Sequence, residues 1–224
     1  MSPRTLAGGA ALLTALAAPA TAQALPTMAP LEPCYVTAGP LESEREGVLI
    51  SAAGFTPNSD VAVTVPGAPQ PNAKAGISGT LSFEVAAPFV KRGIEEFTIT
   101  LTEVGNEANT VSATAKSTAL GVSLKPTSAK PSDKVRFEGL GFTNDAPIYA
   151  HYLHKGRLRR TVRMAREPRQ CGGFRVHRRQ IPIRRPGLGT WIVQFDQSKQ
   201  FRRPADGGIV YVRLRIELKL VPPH

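Results

Sequence analysis

Residues 47–65 read GVLISAAGFTPNSDVAVTV, and residues 134–152 read KVRFEGLGFTNDAPIYAHY. Aligning Gly54-Phe55-Thr56 with Gly141-Phe142-Thr143 sets an offset of 87 residues. At that offset Val48 meets Val135, Ile50 meets Phe137, Val61 meets Ile148 and Val65 meets Tyr152. Apolar side chains recur at every second position on both sides of the glycine, which is the period of a strand and not of a helix. Each copy therefore reads as strand, glycine-containing turn, strand.

A second correspondence lies downstream. Gly93 to Leu101 (GIEEFTITL) aligns with Gly187 to Phe195 (GLGTWIVQF) at an offset of 94, so the second copy gains about seven residues between the two matches. Phe97/Trp191, Ile99/Val193 and Leu101/Phe195 are then the inward residues of one core strand, with Trp191 a core anchor. The closing strand alternates Val210, Val212, Leu214, Ile216, Leu218 and Leu220 with Tyr211, Arg213, Arg215, Glu217 and Lys219. Short strands with one apolar face need a second sheet to cover that face, so each copy must be a whole domain. The expected fold is all-β: two tandem, antiparallel, seven-stranded immunoglobulin-like sandwiches.

The domain plan follows. Residues 1–24 carry Arg4, an apolar Leu6–Leu16 run and the small residues of Ala20-Thr21-Ala22-Gln23-Ala24. That is the pattern of a secretory signal peptide cleaved after Ala24 or after Ala22. Its apolar run falls short of the roughly 20 residues that cross a bilayer. No later segment reads as membrane-spanning. Residues 25–31 are expected to be a flexible leader, 32–118 the first sandwich and 119–224 the second, with a short junction at Lys116-Ser117-Thr118-Ala119.

GFTPNSDVAVTV, with its Gly-Phe-Thr-Pro turn between alternating strands, resembles the immunoglobulin-like modules of secreted and surface bacterial proteins, the IPT/TIG-like repeats among them. The resemblance implies a fold and an extracellular setting, and it brings no shared catalytic residues. The second copy departs from the pattern at Asn144, which stands where the turn proline would be, and in its basic insertion.

Motifs for chemistry are missing from the sequence. It contains no Gly-x-Ser-x-Gly elbow, no His-Glu-x-x-His and no phosphate-cradling Gly-x-x-x-x-Gly-Lys loop. Ser78 lies in the turn sequence GISGT, and the neighbours Glu95 and Glu96 point to opposite faces of a strand. His151 and His154, three apart on a strand, do not chelate without a bend, and they read as surface histidines. Neither an enzyme, a metal nor a cofactor is expected. Cys34 and Cys171 form the candidate disulfide: a bond would staple the two domains, whereas a linear tandem sets the start of the first domain far from the second. The alternatives are two buried thiols or an intermolecular bond.

Charge is divided along the chain. Residues 1–118 hold six Lys/Arg against ten Asp/Glu, and residues 119–224 hold 22 against seven, which together make the net +11. From Lys155 to Arg185 twelve Lys/Arg face one acid, Glu167. YAHYLHKGRLRRTVRMAR reads as a hairpin. A three-residue loop, His154-Lys155-Gly156, puts glycine at its left-handed position and pairs Tyr152 with Leu158 and Ile148 with Val162. A two-residue loop, Lys155-Gly156, is the other register. The preferred register sets Tyr149, His151, Arg157, Arg159 and Arg163 on the outer face, with Arg175, Arg178, Arg179, Arg184 and Arg185 on the next strand and loop. Arg160 fits it badly and calls for an edge position or a bulge. Arginine forks suit phosphate, sulfate and carboxylate groups. The partner expected from these residues is an anionic extracellular polymer or envelope component. A structural module that associates with another protein is the alternative, and a hydrolase accessory or inhibitor is a distant third.

Overall fold

A computed structural model describes residues 25–143, 145–204 and 210–219. The expected signal peptide, Asn144 and the closing residues from Leu220 on lie outside the described residues. The first sandwich comprises β1 (Thr27–Met28), β2 (Cys34–Thr37), β3 (Gly47–Ala53), β4 (Asp60–Val65), β5 (Ala68–Pro69), β6 (Ala73–Lys74), β7 (Leu81–Ala86), β8 (Ile94–Glu103) and β9 (Asn106–Ala119). The second comprises β10 (Gly121–Lys125), β11 (Lys134–Leu140), β12 (Ile148–His154), β13 (Arg157–Ala165), β14 (Phe174–Arg179), β15 (Gly189–Asp196) and β16 (Val212–Leu218).

In the second sandwich the sheets run β10-β11-β14 and β13-β12-β15-β16. Its first, second and fifth strands thus face its fourth, third, sixth and seventh, an immunoglobulin-like arrangement. The first sandwich pairs β1-β3-β7 with β2-β9-β8-β4-β5, and β6 adds to β4. It shows nine strands among the described residues where seven were expected. The excess has two sources: the opening segment divides between both sheets as β1 and β2, and the stretch after β4 forms two two-residue strands.

The repeat reports the core. Val48, Ile50, Val61 and Val65 are buried in one sandwich, and Val135, Phe137, Ile148 and Tyr152 in the other. Phe97, Ile99 and Leu101 are buried, as are Trp191, Val193 and Phe195. Each such side chain contributes about 1.5–3 kcal/mol by leaving water. Phe137 and Phe195 meet across the sheets with ring centroids 5.8 Å apart.

The Gly-Phe-Thr turn has a physical reason to recur. Gly54 (φ 95°) and Gly141 (φ 84°) sit in the left-handed region that glycine enters without steric cost. The following Phe55 and Phe142 are buried. Phe55 N–H donates to Gly79 O at 3.1 Å, and Phe142 N–H to Gly172 O at 3.2 Å. Gly79 and Gly172 are themselves at positive φ, and a Cβ on either would overlap the backbone of the phenylalanine it holds. This second glycine pair is a correspondence that strand alternation does not reveal.

Two expectations about the first sandwich need correction. Residues 25–31 are not a free leader: Thr27 and Met28 pair with Ala53 and Ala52, and Met28 and Leu31 pack on the core. The chain then crosses to the other sheet, where β2 runs parallel to β9 with Cys34 beside Lys116 and Thr37 beside Ala119. The segment Lys116–Ala119 is the end of β9 and not a linker. Only Leu120 separates β9 from β10. Leu120 N–H donates to Thr37 O at 3.0 Å.

That crossing brings Cys34 toward the second sandwich. Cys34 and Cys171 form a disulfide with Cα atoms 5.3 Å apart, 137 residues apart in sequence. The geometric objection to a bond between them assumed a first strand that stays at the far end. The strand instead runs the length of its domain and reaches the junction.

Candidate functional site

The basic hairpin turns on two residues. Lys155 (φ 51°) and Gly156 (φ 71°) are both left-handed, the pattern of a type I′ turn, and His154 pairs with Arg157. The three-residue register is therefore replaced by the two-residue one. A register shift between Tyr152 and Leu153 then leaves Arg159 unpaired, and Tyr152 faces Arg160. A second shift, between Ile148 and Tyr149, leaves Met164 as the extra residue, and Met164 is buried. Bulges of this kind twist an edge strand and re-aim its side chains.

This register redistributes the expected patch. Arg163 lies opposite Tyr149 on the outer face of the four-stranded sheet. Arg157 and Arg160 instead share the core-facing side with His154 and Tyr152, yet both are exposed, because β13 is an edge strand. Arg159 is exposed at the bulge. Arg175 and Arg179 lie on the outer face of the other sheet, paired with Glu138 and Lys134, since β14 belongs to the sheet of β11. Arg178, opposite Val135, points to the inner side of that sheet, again at an edge. Arg184 and Arg185 are exposed in the loop that leads to β15. The ten expected residues do not share one face. They wrap the flank where the edges of β13 and β14 come together.

On that flank Tyr152 is fully buried, and its hydroxyl has no hydrogen-bond partner. Burial pushes its pKa well above the usual tyrosine value, against the opposing charges of Arg178 and Arg160. Two guanidinium groups from opposite sheets therefore act on one orphan phenol. Arg175 differs from the rest. Its Nε lies 2.6 Å from Glu138 Oε1, and Arg136 and Lys125 reach the same carboxylate at 3.3 and 3.9 Å.

His151 leaves the exposed patch altogether. It is fully buried on the outer side of β12, covered by the segment after β15. Its Nδ1 lies 2.9 Å from Thr161 Oγ1, and its Nε2 lies 3.1 Å from Asp196 Oδ1 and 3.0 Å from Ser198 O. Phe201 packs on the ring at 5.6 Å. Gln194, also buried, donates to Asp196 Oδ2 at 2.9 Å and to Arg202 O at 3.0 Å. Burial would raise Asp196, but hydrogen bonds from His151, Gln194 and the Ser198 N–H outweigh it and hold the carboxyl below the usual range. The chain Thr161–His151–Asp196 has the order of a nucleophile, base and orienting acid. Every polar group in it serves to pin residues 197–202 onto the sheet.

His154 is likewise no loose surface histidine. Its ring stacks on Trp191 at 4.6 Å, and Trp191 Nε1–H donates to Gly187 O at 2.9 Å, so the indole is a core anchor. Among the described residues, no group of three or more His, Cys, Asp or Glu is placed to hold a metal ion.

No protein-family model matches the chain, and no curated protein matches it. Two solved structures are similar at low identity. The human OSCAR ligand-binding domain is 12% identical, with a TM-score of 0.35, over 88% of this chain and 99% of that one. A tetra-tandem repeat in the extending region of a large adhesion protein is 14% identical, with a TM-score of 0.30, over 83% of this chain. The match takes in 48% of that adhesion structure, so the chain spans about half its length.

Proposed function

We propose that this protein is a secreted, non-enzymatic binding module whose arginine-bearing second sandwich holds an extracellular anionic polymer or a cell-envelope component. One observation carries the reading. Arg157, Arg159, Arg160 and Arg163 on β13, with Arg178 and Arg179 on β14, are exposed and meet no carboxylate among the described residues. Like charges crowded on neighbouring strands repel and add nothing to folding, so their concentration calls for an outside partner. The interdomain disulfide supports an oxidising, extracytoplasmic setting. The buried His151 network supplies a rigid backing for β12 and β13.

Retention on an immobilised polyanion should fall steeply with ionic strength. Changing Arg157, Arg159 and Arg163 together to serine should cut retention at least tenfold while the unfolding transition stays in place. Wild-type protein that passes through the column at low salt, or a triple variant retained as tightly as wild type, would sink the reading.

A further inference from the structure

The sequence places its charge on the hairpin, but the fold gathers another set of cations at the junction. A groove of about 830 Å³ runs between the sandwiches. Lys91 and Arg92, from the loop between β7 and β8, line it together with Lys125, Arg169 and Arg175 of the second sandwich, and Glu138 is the acid among its lining residues. Glu138 is already engaged with Arg175, Arg136 and Lys125. Lys91, Arg92 and Arg169 are exposed and have no ion-pair partner among the described residues. Junctions between domains are preferred places for ligands, and this volume lies in the usual range.

The wall formed by Arg169 and Gln170 is anchored by its neighbour Cys171, whose disulfide reaches Cys34 beside the end of β9. Cations from two domains are thus held in a fixed relation by a covalent tie. The opposite flank of the junction is lined by Glu44 and Glu46, so an anion approaching the junction is steered to one side.

We propose that this groove is a composite site for a sulfated or carboxylated glycan strand, with Lys91 and Arg92 of the first sandwich and Arg169 of the second binding successive anionic groups. The proposal rests on the anionic-polymer reading above and adds a role for the first domain. Cations spread along a groove fit a ligand with repeated, separated charges better than a single ion. Single-stranded nucleic acid draws on aromatic stacking, whereas Phe174, the aromatic residue in the lining, is buried in the core. Sugar hydroxyl groups can instead meet the Ser123 hydroxyl, the Gln170 amide and the backbone around Gly93 and Gly121.

Calorimetric titration of the full chain with a heparin-derived hexasaccharide, at several salt concentrations, tests it. The double change Lys91→Ser with Arg92→Ser should weaken binding at least tenfold and flatten the salt dependence, and Arg169→Ser should weaken it severalfold. Joint replacement of Cys34 and Cys171 by serine should also weaken binding. Near-ultraviolet circular dichroism checks that every variant is folded, and the exposed Lys91/Arg92 pair keeps the test open should the cysteine variant unfold. If the wild type binds and the Lys91/Arg92 variant matches it while the hairpin-arginine variant does not, the groove is overturned and the wider reading survives. Tighter binding of polyglutamate or oligothymidylate overturns the glycan assignment. Failure of the wild type to bind any of the three sinks the wider reading as well.

Discussion

The two sandwiches share their inner residues and differ in what their third strand leads into. After β4 the first chain makes a tight turn and two short pairings, Thr64 with Pro69 and Asp60 with Lys74. After β12 the second makes a long hairpin whose partner strand β13 carries four arginines. The flanking structure on either side is conserved between the copies: a left-handed glycine, a buried phenylalanine and a second left-handed glycine beneath it. The difference is therefore an insertion into a fixed frame. Surface chemistry changed while the core positions that define the fold stayed in place.

The glycine pair gives the largest expected effect, because the two domains should respond alike. Gly172→Ala and Gly79→Ala each place a Cβ against the backbone of Phe142 or Phe55 at a positive φ. Strain and overlap together should cost about 3–5 kcal/mol in each sandwich. Chemical denaturation of the two variants measures this. A change tolerated in one domain and not in the other would break the equivalence of the two frames.

Alternation and the Gly-Phe-Thr turn make the core legible in sequence, since burial of one face imposes a period of two wherever it occurs. The hairpin register is less legible. A lysine at positive φ is uncommon, and the rule that gives the left-handed position to glycine alone favours the longer loop over the Lys155-Gly156 turn that forms. The bulges at Arg159 and Met164 leave no mark in the pattern, yet they decide which arginines share a face. His151 and Asp196 are 45 residues apart, and nothing local announces that they meet in the interior. The course of β2 from one sheet to the other is equally silent, and it brings Cys34 to Cys171.

The buried network sharpens the contrast at intermediate cost. Asp196 is held below its unfolded value, so its stabilising contribution is complete above about pH 3.9 and is lost as the pH falls through the lower folded value. Asp196→Asn should cost about 2–3 kcal/mol at pH 7, by leaving hydrogen-bond donors without a charged acceptor. It should also flatten the acid limb of the stability profile. Glu103 is held low in the first sandwich, by the Thr56 N–H and by Asn109, so acid should weaken both domains. Urea unfolding between pH 7 and pH 3 measures this. An Asp196→Asn profile parallel to the wild type would show that the carboxylate does not anchor the covering segment.

The smallest effect belongs to the first sandwich. The outer face of β8 and β9 carries a ladder of hydroxyls: Thr98 with Thr114 at 3.1 Å, Thr100 with Ser112 at 2.9 Å and Thr110 with Thr102 at 3.1 Å. No such ladder occurs at the corresponding place on β15 and β16, where Thr190 bonds Glu217 and Gln194 accepts from Arg213. Cross-strand hydroxyl pairs are worth about 0.2–1 kcal/mol. Valine keeps the β-branched shape of threonine and removes only the hydroxyl. A double-mutant cycle on Thr98→Val and Thr114→Val therefore isolates that bond, with an expected coupling of about 0.5 kcal/mol. A coupling of zero would mean that water serves each hydroxyl as well as its neighbour does. The ladder would then be a by-product of threonine's preference for strands, and the two outer faces would differ in charge alone.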